Sequence, residues 1–153
     1  MERKRGFEIA KGFEDKNINL PVRKTKASAG YDFEAAEDTV IPAFKPGVKP
    51  VLVKTGVKSY FGEDEVLILA NRSSNPMKKG LVLANSIGVI DSDYYSNPDN
   101  DGHIMFAFYN FGESDITITK GTAIGQGIFY KFLTSDEDVA NGTRVGGFGS
   151  TSM

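Results

Sequence analysis

The chain has 153 residues, 40% hydrophobic and 25% charged, with a formal net charge of −2, which fits one globular domain with a real core. The near-neutral charge argues against nucleic acid as a partner held by overall charge, and the absence of cysteine with a single histidine, His103, excludes disulfides, thiol nucleophiles, zinc clusters and multi-histidine metal sites. The start, MERKRGFEIAKGF, lacks an apolar run of signal-peptide length, and no stretch approaches the ~20 apolar residues of a membrane helix, so the expectation is a cytoplasmic protein with no membrane partner.

Seventeen glycines, six prolines and eleven phenylalanines lean toward strands and turns. Phe7 and Ile9 alternate with Glu8 and Ala10 and predict a first strand. LPVRKTKASAG (20–30) reads as an extended segment entering a turn, and YDFEAAEDTVI (31–41) alternates weakly until Pro42 stops it. Short β-rich runs follow in KPGVKPVLVKTGVKSYF (45–61), then a compact apolar strand in EVLILAN (65–71). RSSNPMKKG (72–80) is a loop or one short helix, and LVLANSIGVID (81–91) returns to β character. SDYYSNPDNDG (92–102) is loop chemistry, whereas HIMFAFYNF (103–111) predicts a central strand buried on both faces. DITITKG (115–121) alternates strictly, AIGQGIFYKF (123–132) is a strand with close-packing glycines, and SDEDVANG (135–142) suggests a single helical turn. No amphipathic helix of three turns is visible, so about ten short strands spaced by turn signals predict an all-β sandwich or jelly-roll barrel.

Neither GxxxxGK[ST] nor GxGxxG occurs, so phosphate binding would fall to hydroxyls, backbone amides and arginines. Arg72-Ser73-Ser74 offers a planar fork beside two hydroxyls; the competing reading is a helix-cap loop. Gly88-Val89-Ile90-Asp91-Ser92-Asp93-Tyr94 ends a β run in carboxylates, one of which could take a proton from water; the competing reading is an Asx turn with a surface tyrosine. Asn97 to Gly102 looks like half a calcium loop, but position twelve falls on Phe108 instead of glutamate, so a turn is expected. Asp32 follows a glycine turn in AGYDF, and Gln126 sits between Gly125 and Gly127, where backbone can approach a ligand closely. The chain closes on VGGFGSTSM, a lone phenylalanine among glycines followed by hydroxyls.

Taken in order, AGYDF, RSS, NSIGVIDSDY, GQGIF and GGFGST resemble the trimeric deoxyuridine triphosphatases (dUTPases) of phage or bacterial type, over about four-fifths of the chain from Ala29 to Thr151. The resemblance implies a single-domain jelly roll over 1–132 with a flexible closing arm over 133–153, and a homotrimer with shared active sites. It implies hydrolysis of dUTP to dUMP and pyrophosphate with Mg2+, which keeps uracil out of DNA and supplies dUMP for thymidylate synthesis. It makes Asp91 the general base, and gives uracil to Asn85 and the backbone of Gly88, Val89, Ile90 and Asp91, joined by Met105. Tyr94 would pack on the deoxyribose; Arg72, Ser73, Ser74 and Gln126 would bind phosphate; Asp32 would hold magnesium through water. Arg144, Phe148, Gly149, Ser150 and Thr151 would lie on the arm, Phe148 over uracil and Arg144 toward the terminal phosphate, closing a site on a neighbouring subunit.

Two departures stand out. Family members commonly have one residue between the motif's tyrosine and the next glycine, whereas YSNPDND separates Tyr94 from Gly102, about six residues more. That insertion is expected to project near the rim of the site, as surface decoration or as a docking place for a protein partner. Arg144 also stands one residue closer to its phenylalanine than in the common R-G-x-x-G-F-G pattern. Two rival functions follow: a nucleotide-gated regulatory protein using the 95–101 loop, and a dCTP deaminase-like enzyme of the same fold, which needs a glutamate where HIMFAFYN has Ala107.

Overall fold

The computed structural model describes residues 2–147. Eleven strands form among them: β1 (Gly6–Ile9), β2 (Tyr31–Glu34), β3 (Thr39–Ile41), β4 (Val51–Lys54), β5 (Val57–Tyr60), β6 (Glu65–Asn71), β7 (Leu81–Leu83), β8 (Gly88–Asp91), β9 (Met105–Asn110), β10 (Ile116–Ile118) and β11 (Ala123–Lys131). All ladders are antiparallel. They make a four-stranded sheet in the order β2-β11-β6-β8, a three-stranded sheet β4-β9-β7, and the ribbons β1-β5 and β3-β10. This is the expected all-β jelly-roll architecture. Among the described residues no helix is long and apolar enough to cross a membrane.

Period-two patterning explains which faces meet. In β6, Glu65, Leu67 and Leu69 are buried and their neighbours are not. β9 is the middle strand of its sheet, and Phe106, Ala107 and Phe108 are all buried, as its unbroken apolar run predicts. Phe106 and Phe108, two apart on one face, stack at 6.4 Å between ring centroids, and Phe33 of β2 reaches Phe106 at 5.5 Å. The two larger sheets thus close on an aromatic core, each buried Phe or Leu contributing about 1.5–3 kcal/mol.

The glycines of β11 belong to that core. A Cβ on Gly125 would come within 2.2 Å of Phe106, and one on Gly127 within 2.9 Å of both Leu67 and Phe33. With those two facing inward, alternation turns Gln126 to the opposite face.

Two expectations change and a third, of a loop or one short helix, holds. Residues 31–41 form two strands, because β2 pairs with β11 while β3 pairs with β10 in another sheet. SDEDVANG forms no helical turn: 136–137 make an isolated turn with Glu137 at φ 62°, and these exposed residues have no apolar face to offset the cost of helix nucleation. RSSNPMKKG contains one turn of π-helix, Asn75–Lys79, closed by Gly80 at φ 68°.

Candidate active site

β7 leaves the three-stranded sheet, turns through Ala84–Ile87 and re-enters the four-stranded sheet as β8. Ala84 N–H donates to the Ala107 carbonyl at 2.9 Å, and Ser86 takes φ 64° to tighten the bend. Gly88 lies opposite Leu69 in the ladder, and a Cβ there would fall 2.9 Å from the leucine Cδ1, so glycine is what lets Leu69 form the floor. A 3-10 turn at Ser92–Tyr94 then folds the tyrosine back, only 6% exposed, which sets aside the surface-tyrosine reading. Its hydroxyl donates to the His103 carbonyl at 2.6 Å and accepts from Asn100 Nδ2 at 2.9 Å. Burial raises the phenol pKa, so the ring is a neutral, fixed wall.

These elements enclose a cavity of about 370 Å³. Asn85, Gly88, Val89, Ile90, Asp91, Tyr94, Met105 and Arg144 all border it, together with Ile87 and Gly147 from within the motif segments and Leu69 from outside them. Leu69 becomes legible only once β6 is known to pair with β8.

The Arg144 guanidinium reaches two carboxylates. One guanidinium nitrogen lies 2.7 Å from Asp91 Oδ2 and Nε lies 2.7 Å from Asp93 Oδ1, with the guanidinium 5.9 Å from the Tyr94 ring centroid. The arginine side chain is 9% exposed and the two carboxylates 51% and 58%.

A second group forms elsewhere on the sheet. Asp32 and Gln126 are direct partners on β2 and β11, and Gln126 also faces Ala70 on β6. Gln126 Nε2 donates to the Asn71 carbonyl at 3.2 Å, and a Cβ on Gly30 would fall 2.1 Å from Gln126 Oε1. The AGYDF, RSS and GQG segments therefore interlock. Buried Asn75 fixes the loop, donating to Asn71 Oδ1 at 2.8 Å and to the Ile124 carbonyl at 2.9 Å, while Asn71 Nδ2 donates to the Leu81 carbonyl at 3.0 Å. Ser74 stands at the helix N-cap position without a side-chain capping bond, so its hydroxyl does not serve the cap reading. Asn71 and Asn75 were not singled out from sequence, where an Asn-Pro step reads only as a turn.

Asp91 pairs with Val66 near one end of β6, whereas Arg72 follows its other end at Asn71. Six residues of strand separate these positions by roughly 20 Å. Among the described residues no group of three His, Cys, Asp or Glu side chains is placed to hold a metal. Magnesium commonly binds one or two carboxylates, waters and substrate phosphates, so a lone Asp32 near the Arg72-Ser73-Ser74 loop is a donor set that suits an ion carried in on a substrate. Phe148, Gly149, Ser150 and Thr151 lie outside the described residues.

The 95–101 insertion does not project. Tyr95 donates to Glu8 of β1, and Lys58 of β5 meets Asp101 at 3.0 Å, so the segment lies down on that ribbon. Asn97 Oδ1 accepts from the backbone of Asp99 and Asn100, the turn expected in place of a calcium loop.

The family model described as dUTPase matches residues 16–152. A deoxyuridine 5'-triphosphate nucleotidohydrolase of Lactococcus lactis is 50% identical over 149 residues, 96% of this chain and 97% of that protein. One from Acinetobacter baylyi is 34% identical over 140 residues, 88% of each chain. A solved dUTPase from Streptococcus mutans superposes with a TM-score of 0.79 at 49% identity, covering 86% of this chain and 98% of that one.

Proposed function

The chain belongs to the dUTPase family, and on that premise we propose that it hydrolyses dUTP to dUMP and pyrophosphate in a site shared between copies of a homotrimer. The observation that carries this reading is the hairpin cavity, which gathers Asn85, the Gly88–Asp91 backbone, Tyr94 and Met105 around one void beside an exposed carboxylate. Uracil enters the hairpin, where backbone groups and Asn85 meet its polar edge. Leu69 and Ile87 line the cavity and would meet a C5-methyl, and cytosine would leave buried groups unpaired, the costlier mismatch. The Tyr94 ring packs on the deoxyribose and excludes a 2′-hydroxyl.

Asp91 takes a proton from a water whose oxygen bonds the α-phosphorus, while the bond from that phosphorus to the bridging oxygen breaks and pyrophosphate leaves. Arg144 must release Asp91 for this step, and terminal phosphate oxygens give its fork an alternative acceptor. Arg72, Ser73, Ser74 and Gln126 hold the phosphates from a second chain, because on one chain Arg72 stands roughly 20 Å from Asp91 along β6. Magnesium on the triphosphate would offset phosphate charge, with Asp32 ordering one of its waters. The arm, residues 133–153, closes the site and excludes water.

The deaminase alternative lacks its glutamate, since the position on β9 holds Ala107. The test is pyrophosphate release from dUTP, dCTP, dTTP and UTP: turnover confined to dUTP is expected, and comparable turnover of dCTP or UTP would sink the specificity argument. Asp91→Asn should still bind dUTP and lose at least ~100-fold in kcat; near-normal turnover would remove Asp91 as the base.

A further inference from the structure

The 95–101 insertion is stiff. Asn97, 5% exposed, donates to the Tyr94 carbonyl at 2.7 Å and to Asn100 Oδ1 at 2.8 Å. Asp101 accepts from Lys11 N–H at 2.9 Å and from Lys58, whose ammonium also sits 4.9 Å from the Tyr95 ring centroid. Gly102, at φ 85°, crosses so close to Tyr94 that a Cβ would fall 2.8 Å from its carbonyl oxygen. From this clamped base two side chains reach the site. Asn100 Nδ2 donates to the Tyr94 hydroxyl at 2.9 Å, and Asp99 Oδ2 accepts the Gly147 N–H of the arm at 3.3 Å. A Cβ on Gly147 would fall 2.8 Å from Asn100 Nδ2 and 3.4 Å from Asp99 Oδ2, so the arm fits here as glycine.

We infer that Asp99 and Asn100 are positioning residues for the reaction: together they form the seat on which the arm closes at Gly147, and Asn100 fixes the ring of Tyr94. The inference rests on reading the cavity as the dUTP site. A seat held by β1 and β5 is ordered before the arm arrives, so closure orders only the arm's own residues. The seat lies on the chain that carries the hairpin, so its effect is the same for an arm delivered by a neighbouring copy.

The test is steady-state kinetics on full-length variants. Asp99→Ala should lower kcat/KM for dUTP about fivefold, while Asp99→Asn, which keeps an acceptor oxygen, retains most activity. Gly147→Ala should cost about tenfold, and adding Asp99→Ala to it should cost nothing more, since a methyl driven into Asn100 lifts the arm away from Asp99 as well. Asn100→Ala should raise UTP turnover relative to dUTP about fivefold by loosening the tyrosine. Independent, multiplying effects of Asp99→Ala and Gly147→Ala, wild-type kinetics for Asp99→Ala, or an unchanged UTP ratio for Asn100→Ala would overturn the seat. Asp99 is exposed, so its variants keep the test sound if Asn100→Ala unfolds. A wild-type chain inert toward dUTP would instead sink the substrate reading, and the seat with it.

Discussion

At Arg144 one guanidinium meets two carboxylates at 2.7 Å each. Such a pairing occupies a lone pair of Asp91 that, in the proposed mechanism, must accept the water's proton. The same fork can bind phosphate, so nucleotide and Asp91 compete for it. Arg144→Ala is expected to lower kcat/KM about tenfold or more, because phosphate contact outweighs release of the base; a rise in kcat would mean the pairing only inhibits. His103 offers a separate test at the same scale. It is 8% exposed, its Nε2 accepts the Gly56 N–H at 2.9 Å, and its ring lies tilted against Phe13 with centroids 4.7 Å apart. Burial, aided by Lys54 and opposed by Glu37, pushes its pKa down to about 4 from 6.5. The neutral form is the one the fold needs, so this contribution is complete above pH ~6.5 and is lost as pH falls toward 4, up to about 3 kcal/mol. Melting temperature should drop across that window, and His103→Gln, which can keep an acceptor, should flatten the drop; equal slopes would show that carboxylates elsewhere set the acid limit.

At the scale of the strand, β11 separates stability from function residue by residue. Gly125 faces Phe106 in the core, whereas Gln126 lies on the other face against Gly30. Gly125→Ala drives a methyl into a packed ring and should cost about 1–3 kcal/mol. Gly30→Ala pushes on the Gln126 side chain from Oε1 at 2.1 Å to Cβ at 3.1 Å, so activity should fall about tenfold while the melting temperature falls less than for Gly125→Ala; an equal loss of stability would make Gly30 part of the core instead. The sequence carried these strands well because β6 and β9 announce their burial in period-two or unbroken apolar runs. Pairing was not legible: nothing local in residues 31–41 says that its halves join different sheets. The hairpin residues were readable as an ordered motif, since each sits on one continuous stretch. Leu69, Asn71, Asn75 and Gly147 were not, because their roles arise from residues distant in the chain or across the ladder. The insertion was readable as extra length but not as a clamped segment, since its anchors Glu8, Lys11 and Lys58 lie far upstream.

The whole molecule is where the two halves of the site must meet. Asp91 sits beside Val66 and the Arg72-Ser73-Ser74 loop follows Asn71, so one chain places the proposed base and the proposed phosphate loop roughly 20 Å apart along β6. On the proposed roles, a triphosphate held at that loop would not place its α-phosphorus at a water on the same chain's Asp91. Two copies can do so if the hairpin of one faces the loop of the next, which a closed threefold ring repeats at every interface. Mixed trimers expose the difference between a shared and a private site. Asp91→Asn chains keep a sound phosphate loop, and Arg72→Ala chains keep a sound base, while trimers of either alone are crippled. After co-refolding equal amounts, about one quarter of shared sites pair a sound hairpin with a sound loop, so activity should recover to about that fraction of wild type. A site completed within one chain would contain one lesion in every copy, and mixing would restore nothing.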